Sequence, residues 1–312
     1  MPGRPSSIRA VHIPNAQMTT VAIQYPAQEF VSERACPRLP VKNESDIYYT
    51  FKKSHLNVID SLKGISALPR EIIWEIESED TYICRRYALR EFLPDPIRNN
   101  QDPPIKSDIT CTEHLLQTFL LSQEKRVRDL YAARDGSGTP PSPKKWDDKD
   151  CTNIEDDVDI AVGKVKLAIG MKPNTVIMSD AVKKAIRKNP FLRNLFKYLA
   201  IPPEQVFSVE KMFAMVFDIQ NVLVAGAVYN SANKGQADIL AELWGDTVYV
   251  AYLEPRPDLM KASFCYNIFT ETRQMTSKRD EDREGTEFKI RNVQIEKAIL
   301  SAGCEAITDV LA

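Results

Sequence analysis

Residues 107–135 constrain this chain more than any other stretch, because their pattern is that of one long amphipathic helix. Apolar side chains recur at Leu116, Phe119, Leu120, Val127, Leu130 and Tyr131, the three-and-four spacing of a single helical face. Thr110 and Glu113 have the spacing of a capping box, which satisfies orphan backbone donors at a helix start. Glu124 and Arg128 stand four apart, in the order that favours a surface ion pair. Gly136, Ser137, Gly138 and the prolines at 140 and 141 stop the helix. At 1.5 Å per residue, ~25 residues span about 38 Å, the width of a small domain. A helix that long needs a body to lie on.

The totals bound what that body can be. A chain of 312 residues suits one large domain or two smaller ones. The formal net charge of −2 lacks the basic excess of a general nucleic-acid binder. The cysteines, at 36, 84, 111, 151, 265 and 304, are far apart with no C-x-x-C, which reads as reduced thiols rather than a disulfide framework. No apolar run approaches a membrane span, and no apolar core follows Arg4 and Arg9 to make a signal peptide. A soluble protein made in the cytoplasm is expected.

Residues 1–40 form an arm interrupted by prolines, yet apolar at 21–23 and at Phe30 and Val31, so it is expected to dock on something. Segments 46–53, 71–76 and 81–88 read as strands from their aromatic and β-branched content, with a loop tip over 54–69. Together, residues 41–92 read as a long β-hairpin whose last segment returns to the body. A proline-rich connector at 93–106 leads into the long helix. Beyond it, Thr152 and Glu155 form a second capping-box spacing ahead of Ile154, Val158, Ala161, Val165 and Ala168, with Gly170 placed to end that helix. A short strand at 175–178 follows, then a helix capped by Ser179 or Asp180 and another over 209–217. Strands are expected at 221–229, 239–243, 247–253, 263–273 and 288–295, with a charged loop at 277–285 and a small terminal segment from 298. The order is α+β, with an insertion-like middle block.

Candidate chemistry is sparse. The histidines, His12, His55 and His114, lie on three separate elements and read as surface or interface residues rather than ligands. Asp147, Asp148, Asp150, Glu155, Asp156, Asp157 and Asp159 make an acidic patch. Read as an EF-hand loop from Asp148, it puts Asn153 where glycine is required and Asp159 where glutamate is, so the template fails. Acids at a helix start suit its macrodipole instead. Gly64 and Ser66 begin a nucleophile-elbow pattern that lacks its second glycine. Trp74, Trp146 and Trp244 read as packing anchors. Lys52, Lys53 and Lys63 read as charges on an interface rim, with an isopeptide cross-link to a neighbour's asparagine as the sharper option. No catalytic, cofactor or metal residue is assigned. What remains is a docked arm, a long hairpin and an extended helix, the features of a self-assembling subunit.

Several stretches, in order, resemble the major capsid protein of tailed bacteriophages, the capsid fold shared with encapsulin shells. They are SEDTYICRRYAL at 78–89, FLPDPIRNN at 92–100, KPNTVIMS at 172–179, VLVAGAVYN at 222–230, LWG at 243–245, VAY at 250–252 and PRP at 255–257. The resemblance covers nearly all of the chain beyond its first 20 residues. It implies an N-terminal arm at 1–40, an extended loop at 41–92 lying over a neighbour, a peripheral domain with a spine helix at 93–151 and 257–312, and an axial α/β domain at 152–256. It further implies pentamers and hexamers of the chain in an icosahedral virion shell around DNA, contacted non-specifically. With no long N-terminal scaffolding region, a separate scaffolding protein is expected, beside a portal and decoration proteins. No active site and no cofactor are implied. The alternative is an encapsulin-type compartment around protein cargo. A third reading is a metal-dependent enzyme built on the acidic patch.

Overall fold

A computed structural model describes residues 13–14, 30–51, 58, 61–62, 68, 71, 76–100, 107–192, 194, 208–233, 235–258 and 261–312. Trp74, His12, His55, Lys52, Lys53, Lys63 and the apolar residues at 21–23 lie outside the described residues, as does most of the expected hairpin tip.

The five-stranded sheet is built on one long hairpin. β11 (Cys265–Asp280) and β12 (Gly285–Ala298) pair antiparallel, and β5 (Arg85–Pro94) pairs with β12. The arm supplies two further strands to β11, β1 (Ile13–Pro14) antiparallel and β2 (Arg38–Pro40) parallel. The charged stretch expected as a loop over 277–285 is therefore mostly strand: Ser277 to Asp280 face Phe288 to Gly285, and only 281–284 turn. The ladder uses backbone groups alone, so charged side chains at its far end stay solvated without breaking it. Gly285 starts the return strand because a Cβ there would stand 2.4 Å from the Phe92 ring and 2.6 Å from Leu93 O.

α3 (Ser107–Ala132) lies across β12 and β5. α1 (Ser32–Ala35) and α2 (Asp95–Asn99) are the short helices before it. The expected stripe is largely the buried one. Leu116, Phe119 and Leu120 pack with Cys111 and Leu115 against Met275, Phe288 and Ile290. Val127 and Tyr131 enter a second core, and Leu130 is only half-buried. The start differs from expectation. The helix begins three residues before Thr110, so Thr110 and Glu113 lie inside it and form no capping box; the first turn holds Asp108, paired with Arg98. The expected Glu124–Arg128 pair does not form either. Glu124 is fully buried, and Arg128 is 3.7 Å from Asp129.

The middle block is a four-stranded sheet in the order β13, β10, β6, β7. Its strands are β6 (Thr175–Ser179), β7 (Asn221–Ala225), β10 (Val248–Ala251) and β13 (Cys304–Ile307). β13 comes from the terminal segment that the resemblance places with the peripheral stretch, yet it pairs with β10. Helices α4 (Ile154–Ile169), α5 (Asp180–Lys188) and α6 (Val209–Phe217) share one core with this sheet, through Val158, Val182, Ile186, Phe213, Val176 and Val250. α4 starts at Ile154 with Asn153 as N-cap, so Thr152 and Glu155 make no capping box; a local tie from Asn153 to Lys144 O and Asp157 sets the entry instead. Ile169, rather than Ala168, closes its buried stripe. Gly170 ends it at φ 77°, as expected. Ser179 caps α5 by accepting from Val182 N. The expected 221–229 strand divides at Gly226 and Ala227 into β7 and β8 (Val228–Asn230), which pairs with β9 (Leu240–Glu242).

β3 (Ser45–Phe51) and β4 (Ile76–Ile83) pair antiparallel as the root of the long hairpin. The expected strand at 81–88 is two strands, divided at Cys84, where the chain leaves the hairpin and joins the five-stranded sheet as β5. Leu120 makes the stripe testable. Leu120→Asp buries a charge among Phe288 and Ile290 and costs about 4 kcal/mol or more, enough to prevent folding. Lys125→Glu, on the exposed side, leaves the fold within about 0.5 kcal/mol. Equal solubility of the two variants would contradict the packing.

Candidate assembly interface

The elements that could meet a partner are the arm and the hairpin, and two buried anchors hold them. The first is Glu124. Its carboxylate accepts from Val31 N at 3.2 and 3.1 Å, Ser32 N at 2.7 Å and Trp244 Nε1 at 2.7 Å. The donors come from the arm and the middle block, and the acceptor from the spine helix between them. Burial pushes the Glu124 carboxyl above its ordinary value, and the Trp244 and arm donors pull it back. Two turns on, Tyr131 repeats the device: its hydroxyl donates to Ala35 O at 2.7 Å, and its ring centroid lies 4.7 Å from Phe264, 5.3 Å from Tyr249 and 5.6 Å from Trp244. The described end of the arm is docked: Val31 and Ala35 lie in this core.

The second anchor holds the hairpin root. Tyr48 and Tyr82 are buried with Leu39, Tyr266, Ile268 and Val293. Lys297, on β12, lies 2.7 Å from Asp80, donates to Thr81 O at 2.6 Å and stands 5.0 Å from the centre of the Tyr48 ring. Tyr48 also donates to Asp80, at 2.7 Å. The Lys297 and Tyr48 donors hold the Asp80 carboxyl down at about 2. The opposite face of the same two strands carries Ile47 and Ile83, which are 45% and 61% exposed. Among the described residues the hairpin thus has one face packed on its own chain and one on which Ile47 and Ile83 stand exposed beside Ser45 and Thr81.

The remaining candidate residues are scattered. His114 Nδ1 lies 3.0 Å from Glu91 on the surface. The acidic patch divides. Asp157 accepts from Trp146 Nε1 and Asn153, Asp147 accepts from Ala312 N, and Lys144 lies 4.0 Å from Asp148 and 3.6 Å from Asp150. Glu155, Asp156 and Asp159 stay on the exposed side of α4. Among the described residues no group of three or more His, Cys, Asp or Glu could hold a metal ion. Also among them, no helix is long and apolar enough to cross a membrane. All six cysteines are buried and unbridged. Trp146 and Trp244 are packing anchors, as expected, though each also spends its indole donor on a carboxylate. Neither anchor was read from the sequence. The available signal was a Glu at position 124, on the apolar side of the helix beside Leu120 and Val127.

Two expectations follow. Glu124→Gln replaces one accepting oxygen by an amide donor that faces two of the three donors and lowers stability by about 3 kcal/mol, whereas Trp244→Phe, which removes one donor, lowers it by about 1–3 kcal/mol; chemical denaturation measures both. Asp80 contributes stability that is complete above its unfolded value near pH ~3.9 and is lost as pH falls through about 2. Because Asp80 is half-exposed, the melting difference from Asp80→Asn corresponds to less than about 1 kcal/mol at pH 7, and it vanishes near pH 2.

No family model matches the sequence. The major capsid protein of Burkholderia phage BcepMu is 22% identical over 256 residues, 80% of this chain and 79% of that protein. A phage-related protein from Bordetella bronchiseptica RB50 superposes with a TM-score of 0.72 at 18% identity, over 96% of this chain and 98% of that one. The mature capsid of bacteriophage PhiM1 gives 0.57 at 9%, over 89% and 87%. The SrpI encapsulin of Synechococcus elongatus PCC 7942 gives 0.50 at 10%, over 100% and 98%. The chain is thus a relative of a phage major capsid protein, and its fold is the capsid fold that phage shells share with encapsulins.

Proposed function

We propose that the chain is the structural subunit of an icosahedral phage capsid, assembling into pentamers and hexamers that enclose the viral DNA. The observation that carries this reading is likeness to capsid proteins along most of the chain's length, in sequence and in fold. The surfaces agree with it. A hairpin anchored on one face, with Ile47 and Ile83 exposed on the other, suits contact with another molecule. Head-to-tail contacts between identical copies close into rings, and many modest contacts add up to a stable shell.

In this reading, residues 1–40 are the arm and 41–92 the loop laid over a neighbour. Residues 93–151 and 257–312 form the peripheral domain, and 152–256 the axial domain that meets its copies around symmetry centres. A separate scaffolding protein, a portal and decoration proteins are the further partners, and the packaged DNA is touched without sequence preference. The role is structural rather than catalytic, with assembly in the host cytoplasm and residence in the virion. An encapsulin-type compartment is the alternative, supported by the fold shared with SrpI.

Electron microscopy of the protein, expressed alone and with its genomic neighbours, tests the proposal. Rings or closed shells are expected. A strictly monomeric protein under both conditions would sink it. Shells that copurify with a protein cargo, and never with DNA, would favour the compartment.

A further inference from the structure

The arm meets the five-stranded sheet through a pair of cysteines. β2 runs parallel to β11, with Arg38 opposite Asn267, Leu39 opposite Ile268 and Pro40 opposite Phe269. Two residues back on each strand stand Cys36 and Cys265, so the same register sets them side by side on one face. Cys36 is extended, and Asn267 N still donates to Pro37 O at 2.9 Å. The ladder stops there because Pro37 has no N–H to give. Adjacent strands lie about 4.8 Å apart, inside the ~4.4–6.8 Å between Cα atoms that a disulfide spans.

Both side chains are fully buried in the core that holds Tyr131 and Phe264. The Cys36 thiol is hydrogen-bonded to Cys265, whose Sγ donates to Ala35 O at 3.4 Å. Three other cysteines spend their thiols on oxygen: Cys84 Sγ donates to Ile268 O at 3.7 Å, Cys151 Sγ to Asn153 Oδ1 at 3.1 Å and Cys304 Sγ to Glu305 O at 3.9 Å. A small apolar side chain would fill position 36 or 265 as well as cysteine does. Packing therefore leaves sulfur beside sulfur unexplained. Losing both S–H groups would orphan nothing, because Ala35 O keeps its bond from the Tyr131 hydroxyl at 2.7 Å. Burial shields the pair and holds the Cys36 thiol well above its ordinary value, so neither sulfur reacts while the arm is docked. The docked end of the arm is a helix of four residues and a strand of three, short elements of the kind that open locally.

We propose that Cys36 and Cys265 form a redox-controlled disulfide that fastens the arm to the sheet, by exchange with a small-molecule disulfide such as glutathione disulfide. When the arm opens, the Cys36 thiolate attacks one sulfur of that disulfide and expels the other as a thiolate. When the arm docks again, the Cys265 thiolate attacks Cys36 Sγ and expels the second. The two protein sulfurs are oxidised to one disulfide, the small disulfide is reduced to two thiols, and the protons that leave the cysteines end on those thiols. The bond closes a loop of about 230 residues, and long loops restrict the unfolded chain most. It needs an oxidising medium, of the kind a virion meets outside its host. That use rests on the shell reading, whereas the bond itself rests only on the docking of the arm.

The full chain, purified under reductant and then incubated folded with glutathione disulfide, tests it. Titration of free thiols in denaturant and mass spectrometry of proteolytic peptides without reduction locate any bond, and melting with and without dithiothreitol reads its effect on the same protein. Two of the six thiols are expected to disappear into a Cys36–Cys265 link within one chain. The melting point is expected to rise by about 5 °C or more and to fall back on reduction. Cys36→Ser and Cys265→Ser are expected to lose the link and the gain, and Cys304→Ser to keep both. A folded wild-type chain that retains all its thiols overturns the proposal. So does a mixed disulfide that never resolves, a bond that maps to Cys304 or joins two chains, or one that forms only in denaturant. A Cys36–Cys265 bond that leaves the melting point unchanged overturns the fastening of the arm. Each result is read on the chain whether or not it assembles, so failure here leaves the shell reading standing.

Discussion

The carboxylate of Glu124 is the constraint on which the rest of this structure depends. An ionised carboxylate without water is tolerable only when donors surround it, and here they come from the Val31 and Ser32 amides and the Trp244 indole. None of the three donors belongs to the helix that carries the acid. The spine helix therefore cannot be satisfied by itself. It needs the arm on one side and the middle block on the other, and each of those docks only where the carboxylate stands. Tyr131 adds the same requirement two turns later, joining Ala35 O to the aromatic cluster of Phe264, Tyr249 and Trp244. Packing alone would permit the helix to slide or rotate by small amounts. Directional bonds to a buried charge do not.

The same logic holds the hairpin. Two strands alone are marginal in water. Here their inner face is fastened by Tyr48 and Tyr82 and by a lysine that reaches Asp80, Thr81 O and the Tyr48 ring together. With the root fixed, the outer face carrying Ile47 and Ile83 is held in a set direction rather than left to fold back. A shell subunit needs that arrangement, because a contact surface helps assembly only if it is already in place when a neighbour arrives.

Much of this architecture was legible in the chain. The stripe of α3 from Leu116 to Tyr131, the stripe of α4 from Ile154 to Val165, the left-handed Gly170, the Ser179 cap and the buried 175–178 strand all follow from period and local chemistry, and all are present. The failures share a cause. Thr110 with Glu113 and Thr152 with Glu155 have capping spacing, but a cap also needs the helix to begin there, which tertiary contacts decided otherwise. Residues 277–280 looked like a loop by composition, because side-chain charge says nothing of whether a backbone ladder has a partner to extend along.

Glu124 marks the division between the two kinds of information. The sequence by itself determined that a long amphipathic helix exists, which side of it is apolar, and that the chain resembles a capsid subunit. It could not tell whether Glu124 would pair with Arg128 in water or be buried, since spacing along a helix is a local quantity. Only the tertiary structure brought Val31, 93 positions away, and Trp244, 120 positions away, to the same carboxylate. The outcome turns on desolvation and on donors supplied from distant parts of the chain, and neither is encoded within the helix itself.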